Sequence, residues 1–445
     1  MKIVIAGAGG IGFHLAKLLS SAQHDIIIID SNRDVLDYAQ SHLDVQTVYG
    51  DASSITLLKD INLDAVSIFL AVTTRENDNL MACSIAKKLG AKQTIARINN
   101  ISNLEKEAKN IFRELGVDKI ISPSLLASQE ILRLLEFSQV TDSFDFENGK
   151  VSLIGLKIEE YSFYEGKTIE QIKKYKSTSH SPVAILRGNE TILPRANTIM
   201  RRGDHIYFII NKSEVDDLLE MIGKPSRKIK SIMFIGGNVI SLTAAKKLEY
   251  QYNISIIEEN EKQCKILLDE LNNTLVIKGD PSNIELLKEE GLEKIDAFIA
   301  VTPNSETNII TSLMAENLGV YKTIALVENL DYTHISQNIG VDTMINKKII
   351  AANNIFRYVR KGKVEAIASL HGVDAEVIEY AIHKESRLTR LTLKHLKLPS
   401  QTIIGAVIRG DDTIIPTGDF ILQLHDKVIV LALPGAIGRI EDIFR

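Results

Sequence analysis

Apolar residues come in short bursts along this chain, and the bursts alternate with stretches of helical spacing. Before residue 122, strand-length apolar runs fall at 2–6, 25–29, 45–48, 65–72, 94–98 and 119–121. Helical periodicity or capping residues fill the gaps at 11–22, 32–42, 53–60, 75–89 and 102–115. Strands alternating with helices at this spacing predict a parallel, doubly wound sheet. The runs are nearly unbroken Ile, Val and Ala, as expected where helices cover both faces.

After residue 150 the pattern changes. Strand-like runs at 151–158, 182–187, 190–193 and 205–210 are joined by only two short helical stretches, near 168–174 and 212–222. Gly188-Asn189 between two apolar runs reads as a hairpin turn. The expectation is a small α+β module near the lower size limit for an independent core. Residues 223–230 (GKPSRKIK) carry Gly, Pro, Ser and four basic residues and read as a linker.

The whole arrangement then recurs. VYGDASS at 48–54 returns as IKGDPSN at 277–283, AVTTRENDN at 71–79 as AVTPNSETN at 300–308, and GVDKII at 116–121 as GVDTMI at 340–345. The small module repeats too, with RGNETILP at 187–194 answered by RGDDTIIP at 409–416, and Asp204 by Asp426. Colinear matches at a nearly constant offset mean a duplication, and the layout is A-B-A′-B′.

Composition narrows the function. A net charge of −5 lacks the basic footprint of a nucleic-acid binder. Cys83 and Cys264 stand far apart, with neither metal nor disulfide spacing, which suits a reducing compartment. No apolar run approaches the ~18–20 residues needed to cross a bilayer, so work at a membrane would require a partner to hold the chain there.

Gly7-Ala8-Gly9-Gly10-Ile11-Gly12 follows the strand Ile3-Val4-Ile5 and opens a helix, the context that gives G-x-G-x-x-G its meaning. Gly7 permits the turn, Gly9 admits a pyrophosphate to the backbone, and Gly12 lets helix and strand pack closely. The N–H groups that open the helix, from Gly10 and Ile11 onward, face the phosphates. Asp30 ends the second strand, where an acid accepts from ribose hydroxyls and repels a 2′-phosphate; otherwise Asp30, Ser31 or Asn32 caps the next helix. That acid favours NAD(H), or another unphosphorylated adenosine, over NADP. Asp51 can approach the adenine or cap the helix after it. Thr73 ends the fourth strand at the edge where ligands of open α/β sheets lie. Arg97 ends the fifth, either reaching a phosphate or sitting in a buried ion pair.

The second copy departs from this. Gly236 matches Gly7, but Asn238 replaces Gly9, Ser241 replaces Gly12 and Leu326 replaces Arg97. Glu258 and Asp280 keep the two acids. The second site is therefore expected to bind weakly, to take a different adenosine ligand, or to be empty.

Catalytic groups are hard to find. A Tyr-x-x-x-Lys pair, Tyr380 and Lys384, lies in B′, away from any glycine turn, and the ten histidines show no metal spacing. The stretches after the sixth strands are apolar beyond one stripe: Leu125, Leu126, Ile131, Leu132, Leu134, Leu135 and Phe137, then Ile349, Ile350, Ile355, Phe356, Tyr358 and Val359. Such helices need a second packing partner, within the chain or between chains.

The glycine loop, Asp30, GDAS at 50–53, AVT…N ending at Asn79 and GVDKIISP at 116–123 together resemble an RCK domain, the module that regulates potassium conductance. The resemblance covers nearly the whole chain and rests on the order of these motifs. It implies two Rossmann-like RCK N-domains, 1–138 and 230–361, each followed by an α+β RCK C-domain, 139–223 and 362–445. It also implies a non-enzymatic cytoplasmic subunit that senses NAD(H), and ATP or ADP. Such subunits form rings, typically tetramers of tandem chains, that gate a membrane potassium translocator of the TrkH or TrkG kind. The alternative is an NAD-dependent oxidoreductase with catalytic residues of an unfamiliar type.

Overall fold

The computed structural model describes residues 1–445 except 22–23, 137–139, 141, 161, 176–179, 189, 224–227, 330–340, 342, 361–365, 370–374 and 445. Both A domains are six-stranded parallel sheets. The first runs in the order Gln46–Tyr49, Asp25–Asp30, Lys2–Ala6, Ile68–Ala71, Gln93–Arg97, Lys119–Ile121. The second runs Thr274–Lys278, Asn253–Glu258, Ser231–Ile235, Ala297–Ala300, Lys322–Leu326, Thr343–Ile345. In both, the chain reverses direction across the sheet beside the first strand, the place where such folds bind ligands.

The central strands explain the unbroken apolar runs. Ile3, Val4, Ile5 and Ala6 are wholly buried, as are Phe69, Leu70 and Ala71, because helices cover both sheet faces. Asparagine and serine start the helices: Asn32 accepts from Asp34 N, and Ser54 from Leu57 N. The expected strand at 65–72 is shorter, because a 3-10 turn at Leu63–Ala65 occupies its start. The expected helix at 102–115 divides into a 3-10 turn, Ile101–Leu104, and a helix, Lys106–Glu114, with Asn100 capping the turn.

Each small module is a five-stranded antiparallel sheet with the same strand order. In the first it is Glu190–Ile192, His180–Arg187, His205–Asn211, Val151–Lys157, Asp142–Phe146. Arg187 pairs with Glu190 across the expected hairpin; Asn189 itself lies outside the described residues. The strand Asp142–Phe146 was not legible, since its alternating Asp-Ser-Phe-Asp-Phe offers no apolar run.

Like packs with like. Residues 1–130 and 232–359 form one compact unit, and residues 131–231 and 360–445 another. In the second unit the small modules pool one core, with Val183, Leu186, Tyr207 and Ile209 in the same cluster as Val377, Ala406, Ile429 and Leu431. A methyl added at Gly405 would lie 2.2 Å from Ile209 Cδ1, so a glycine is what lets the sheets approach. The first module also keeps a cluster of its own, with Ile154, Leu156, Phe208, Leu218 and Ile222, so the shared core adds to it.

Arg187 and Asp204 explain why that pair recurs. Arg187 donates from Nε and Nη2 to both carboxylate oxygens of the buried Asp204, at 2.8 and 2.7 Å, and to Ile199 O. Arg409 does the same with Asp426, at 2.8 and 2.8 Å, and with Ile421 O. Each fork ties a strand to the turn preceding its neighbour.

One of the two-faced helices meets the other copy. The helix Lys347–Arg360 buries Ala351, Ala352, Ile355, Phe356 and Val359, and Lys119 Nζ of the first copy lies 4.0 Å from the Tyr358 ring. Phe137 lies outside the described residues. Among the described residues, no helix is long and apolar enough to cross a membrane.

Candidate functional site

The first glycine loop has the expected shape. Gly7 has φ +107°, which favours glycine, and its N–H donates to Ile29 O at 2.8 Å. A Cβ at Gly12 would fall 1.8 Å from Gly7 O, so only glycine lets the helix Gly10–Ser21 start this close. A Cβ at Gly9 would meet nothing within 4 Å, which leaves open space at the point where a pyrophosphate must approach.

Asp30 has two tasks. Its Oδ2 accepts from Ala8 N at 2.7 Å and its Oδ1 from Asn32 N at 2.9 Å, so it braces the loop and starts the next turn. Each oxygen keeps lone-pair capacity for a ribose hydroxyl. Asn32, not Asp30, caps the helix.

Asp51 builds a turn: its Oδ1 takes Ser53 N and Ser53 Oγ, each at 2.8 Å, and these bonds hold its carboxyl below the usual range. Asp280 repeats this with Ser282. Neither acid caps the helix after it: Ser54 and Asn283 are the caps, and Asp51 and Asp280 shape the turns that lead into them.

Thr73 and Arg97 are joined by a residue that sequence reasoning used only as a motif letter. The buried Asn79 accepts from Thr73 N (3.0 Å) and Thr73 Oγ1 (2.7 Å), and donates to the carbonyls of Thr73 and Arg97, each at 3.0 Å. One amide thereby clips the ends of the fourth and fifth strands beside Gly7, whose Cβ position is 3.0 Å from Thr73 N. The repeated six-residue Thr–Asn spacing was the available signal.

Arg97 has no ion pair among the described residues. Its Nε is buried without a hydrogen-bond partner, and burial pushes the guanidinium below its ordinary range, opposed by the charge of Glu328. A desolvated, unpartnered guanidinium beside an open phosphate loop suits an anion.

The second loop is closed by its own side chains. Asn238 Oδ1 accepts from Ile240 N (2.8 Å) and Ser241 N (3.4 Å), the N–H groups equivalent to those of Ile11 and Gly12. Its Nδ2 donates to Val301 O, and Ser241 Oγ donates to Gly236 O at 2.7 Å. The asparagine occupies the groups a phosphate would use.

Glu258 still braces this loop, accepting from Gly237 N (2.6 Å) and Asn260 N (2.7 Å). A Cβ at Gly237 would lie 2.6 Å from Leu267 Cδ1 and 2.9 Å from Glu258 Cβ and Cγ, so a glycine fits here where the first copy has Ala8. Asn308 repeats the Asn79 clip between Thr302 and Leu326.

Tyr380 and Lys384 form no catalytic pair of the helical kind. Tyr380 is buried on the strand Glu376–Ala381 and stacks on Phe444 at 4.6 Å. Among the described residues, no three His, Cys, Asp or Glu side chains could hold a metal ion.

Comparison with known proteins adds the family. The TrkA-N domain matches residues 3–123 and 232–347, and the TrkA-C domain residues 153–223 and 377–445. The chain is 34% identical over 448 residues, covering both chains fully, to the Trk system potassium uptake protein TrkA homolog of Archaeoglobus fulgidus. Its fold is similar to the crystal structure of the GsuK RCK domain, with TM-score 0.61 and 18% identity over 100% of this chain and 94% of that one. It is also similar to the GsuK channel bound to NAD, with TM-score 0.60 and 18% identity over 100% and 78%.

Proposed function

The chain belongs to the TrkA family of potassium-uptake proteins, and from that premise we propose that it is the nucleotide-sensing regulatory subunit of a Trk-type uptake system. Its first glycine loop binds NAD(H), or ADP or ATP in its place. The second loop, capped by Asn238, binds none of them. The observation that carries this reading is Arg97, whose buried Nε has no partner at the strand edge beside the open loop.

In this reading the N–H groups of Gly10, Ile11 and Gly12 face the phosphates and Asp30 receives the ribose. Arg97 supplies the counter-charge. The chain works on the cytoplasmic side of the membrane. There it assembles as a tetrameric ring that holds a potassium translocator of the TrkH or TrkG kind. Ligands that favour one ring shape shift the population, and ~1–3 kcal/mol of differential binding is enough to do so usefully.

Calorimetric titration of the full chain with NADH, NAD, ADP and ATP tests this, beside Arg97→Ala and an optical assay for NADH consumption. Saturable binding, weakened roughly a hundredfold in Arg97→Ala without turnover of NADH, is the expected result. Binding unchanged in that variant refutes the site, and steady NADH consumption would mean an oxidoreductase.

A further inference from the structure

The helix Lys347–Arg360 belongs to the second copy, yet its first turn reaches the first copy's glycine loop. A methyl added at Gly10 would lie 2.9 Å from Lys348 Cδ and 3.6 Å from its Nζ. The repeat sets Pro123 and Ser124 where Lys347 and Lys348 stand, so only the second copy offers lysines here.

Lys348 is held by a neighbour. Its Nζ donates to Glu328 O at 3.2 Å and lies 3.4 Å from Glu328 Oε2, while Lys347 pairs with Oε1. Burial tends to raise the Glu328 carboxyl, but the two lysines outweigh it and hold the group below its usual range. The same carboxylate is the opposing charge felt by Arg97. Among the described residues, Glu328 is the carboxylate that pairs with both lysines, and it holds Lys348 close to Gly10 of the open loop. Two lysines share this one carboxylate, so a ligand's anion can take Lys348 while Lys347 keeps Glu328.

We propose that Lys348 is a phosphate-binding residue of the first site, supplied by the second copy, and that a nucleotide phosphate replaces Glu328 as its partner. The proposal rests on the reading that the first loop binds nucleotide. It gives that binding a mechanical consequence, because filling the first site rearranges an ion cluster rooted in the second domain.

The test is titration of the full chain with ADP and NADH in Lys348→Ala, Lys348→Arg and Glu328→Gln. Lys348→Ala should weaken ADP binding roughly tenfold, and Lys348→Arg should retain most of it. Glu328→Gln should tighten ADP binding about threefold, because the competing anion is gone. A purely structural cluster would lose affinity in both neutral variants. Wild-type affinity in Lys348→Ala, or wild-type or weaker affinity in Glu328→Gln, overturns the proposal. A wild-type chain that binds neither ADP nor NADH overturns the nucleotide reading itself.

Discussion

Replacing Gly9 with asparagine would carry the second loop's plug into the first. The site tolerates the side chain: a Cβ there meets nothing within 4 Å, and Gly9 is not among the glycines with positive φ. In the second copy the equivalent Asn238, at φ −106°, accepts two N–H groups of its helix. Against glycine an N-cap of this kind stabilises by roughly a few tenths of a kcal/mol, and losing a glycine's freedom in the unfolded chain adds about 0.5 kcal/mol. Stability should therefore hold or rise.

Binding should move the other way. A phosphate deprived of two charge-assisted bonds, each worth about 1.5–3 kcal/mol, loses at least about 3 kcal/mol, roughly a hundredfold in affinity. Thermal melting with and without NADH, beside calorimetry, reads both effects on one sample. The variant should melt at or above the wild type while its NADH-induced stabilisation vanishes. Undiminished NADH affinity would refute the phosphate site. A fall in the ligand-free melting temperature would refute the transferability of the cap.

Two further outcomes follow from buried charge. Asp204→Ala leaves Arg187 facing an empty site, and since the Arg187 side chain is still 26% exposed the cost should be about 2–4 kcal/mol in urea unfolding; a loss under about 1 kcal/mol would contradict the fork's role. His14, on the helix after the glycine loop, has its pKa lowered from 6.5 to about 4 by burial, with Lys17 adding to the effect. It stays neutral when folded while the unfolded chain takes up a proton below 6.5, so its contribution is full above pH 6.5 and is lost as pH falls towards 4. The loss is about 2 kcal/mol at pH 5; His14→Leu should abolish it, and an unchanged drop in melting temperature between pH 7 and pH 5 in that variant would refute the assignment.

Much of this is legible in the sequence. Period and apolar content located the parallel strands, because a strand buried on both faces is apolar at every position, as Ile3 to Ala6 are. The strand Asp142–Phe146 was invisible because its polar positions break that pattern. The glycine loop was readable because its residues are dictated by local backbone needs. Asp30's grip on Ala8, the Asn79 clip and the approach of Lys348 to Gly10 join residues 22, 18 and more than 300 positions apart. Contacts at such separations are set by how the elements pack, which no local pattern states.

The duplication also serves as an internal control. Features kept in both copies build the domain: the Asn79 and Asn308 clips, the Asp51 and Asp280 turns, and the forks of Arg187 and Arg409. Four of the differences between the copies meet at one spot. Gly9 against Asn238, Gly12 against Ser241, Arg97 against Leu326 and Ser124 against Lys348 all bear on the phosphate end of a glycine loop. These four act in one sense, clearing space and adding positive charge at the first loop while capping the second. Gly12 shows that the two states exclude each other, since a serine there would collide with Gly7 O at 1.8 Å, whereas Ser241 bonds to Gly236 O at 2.7 Å. The second loop must therefore be wider than the first, a geometry fitted to its own side chains. A chain divided in this way leaves its first loop open and caps its second, and the second copy sets Lys348 beside Gly10 of the first.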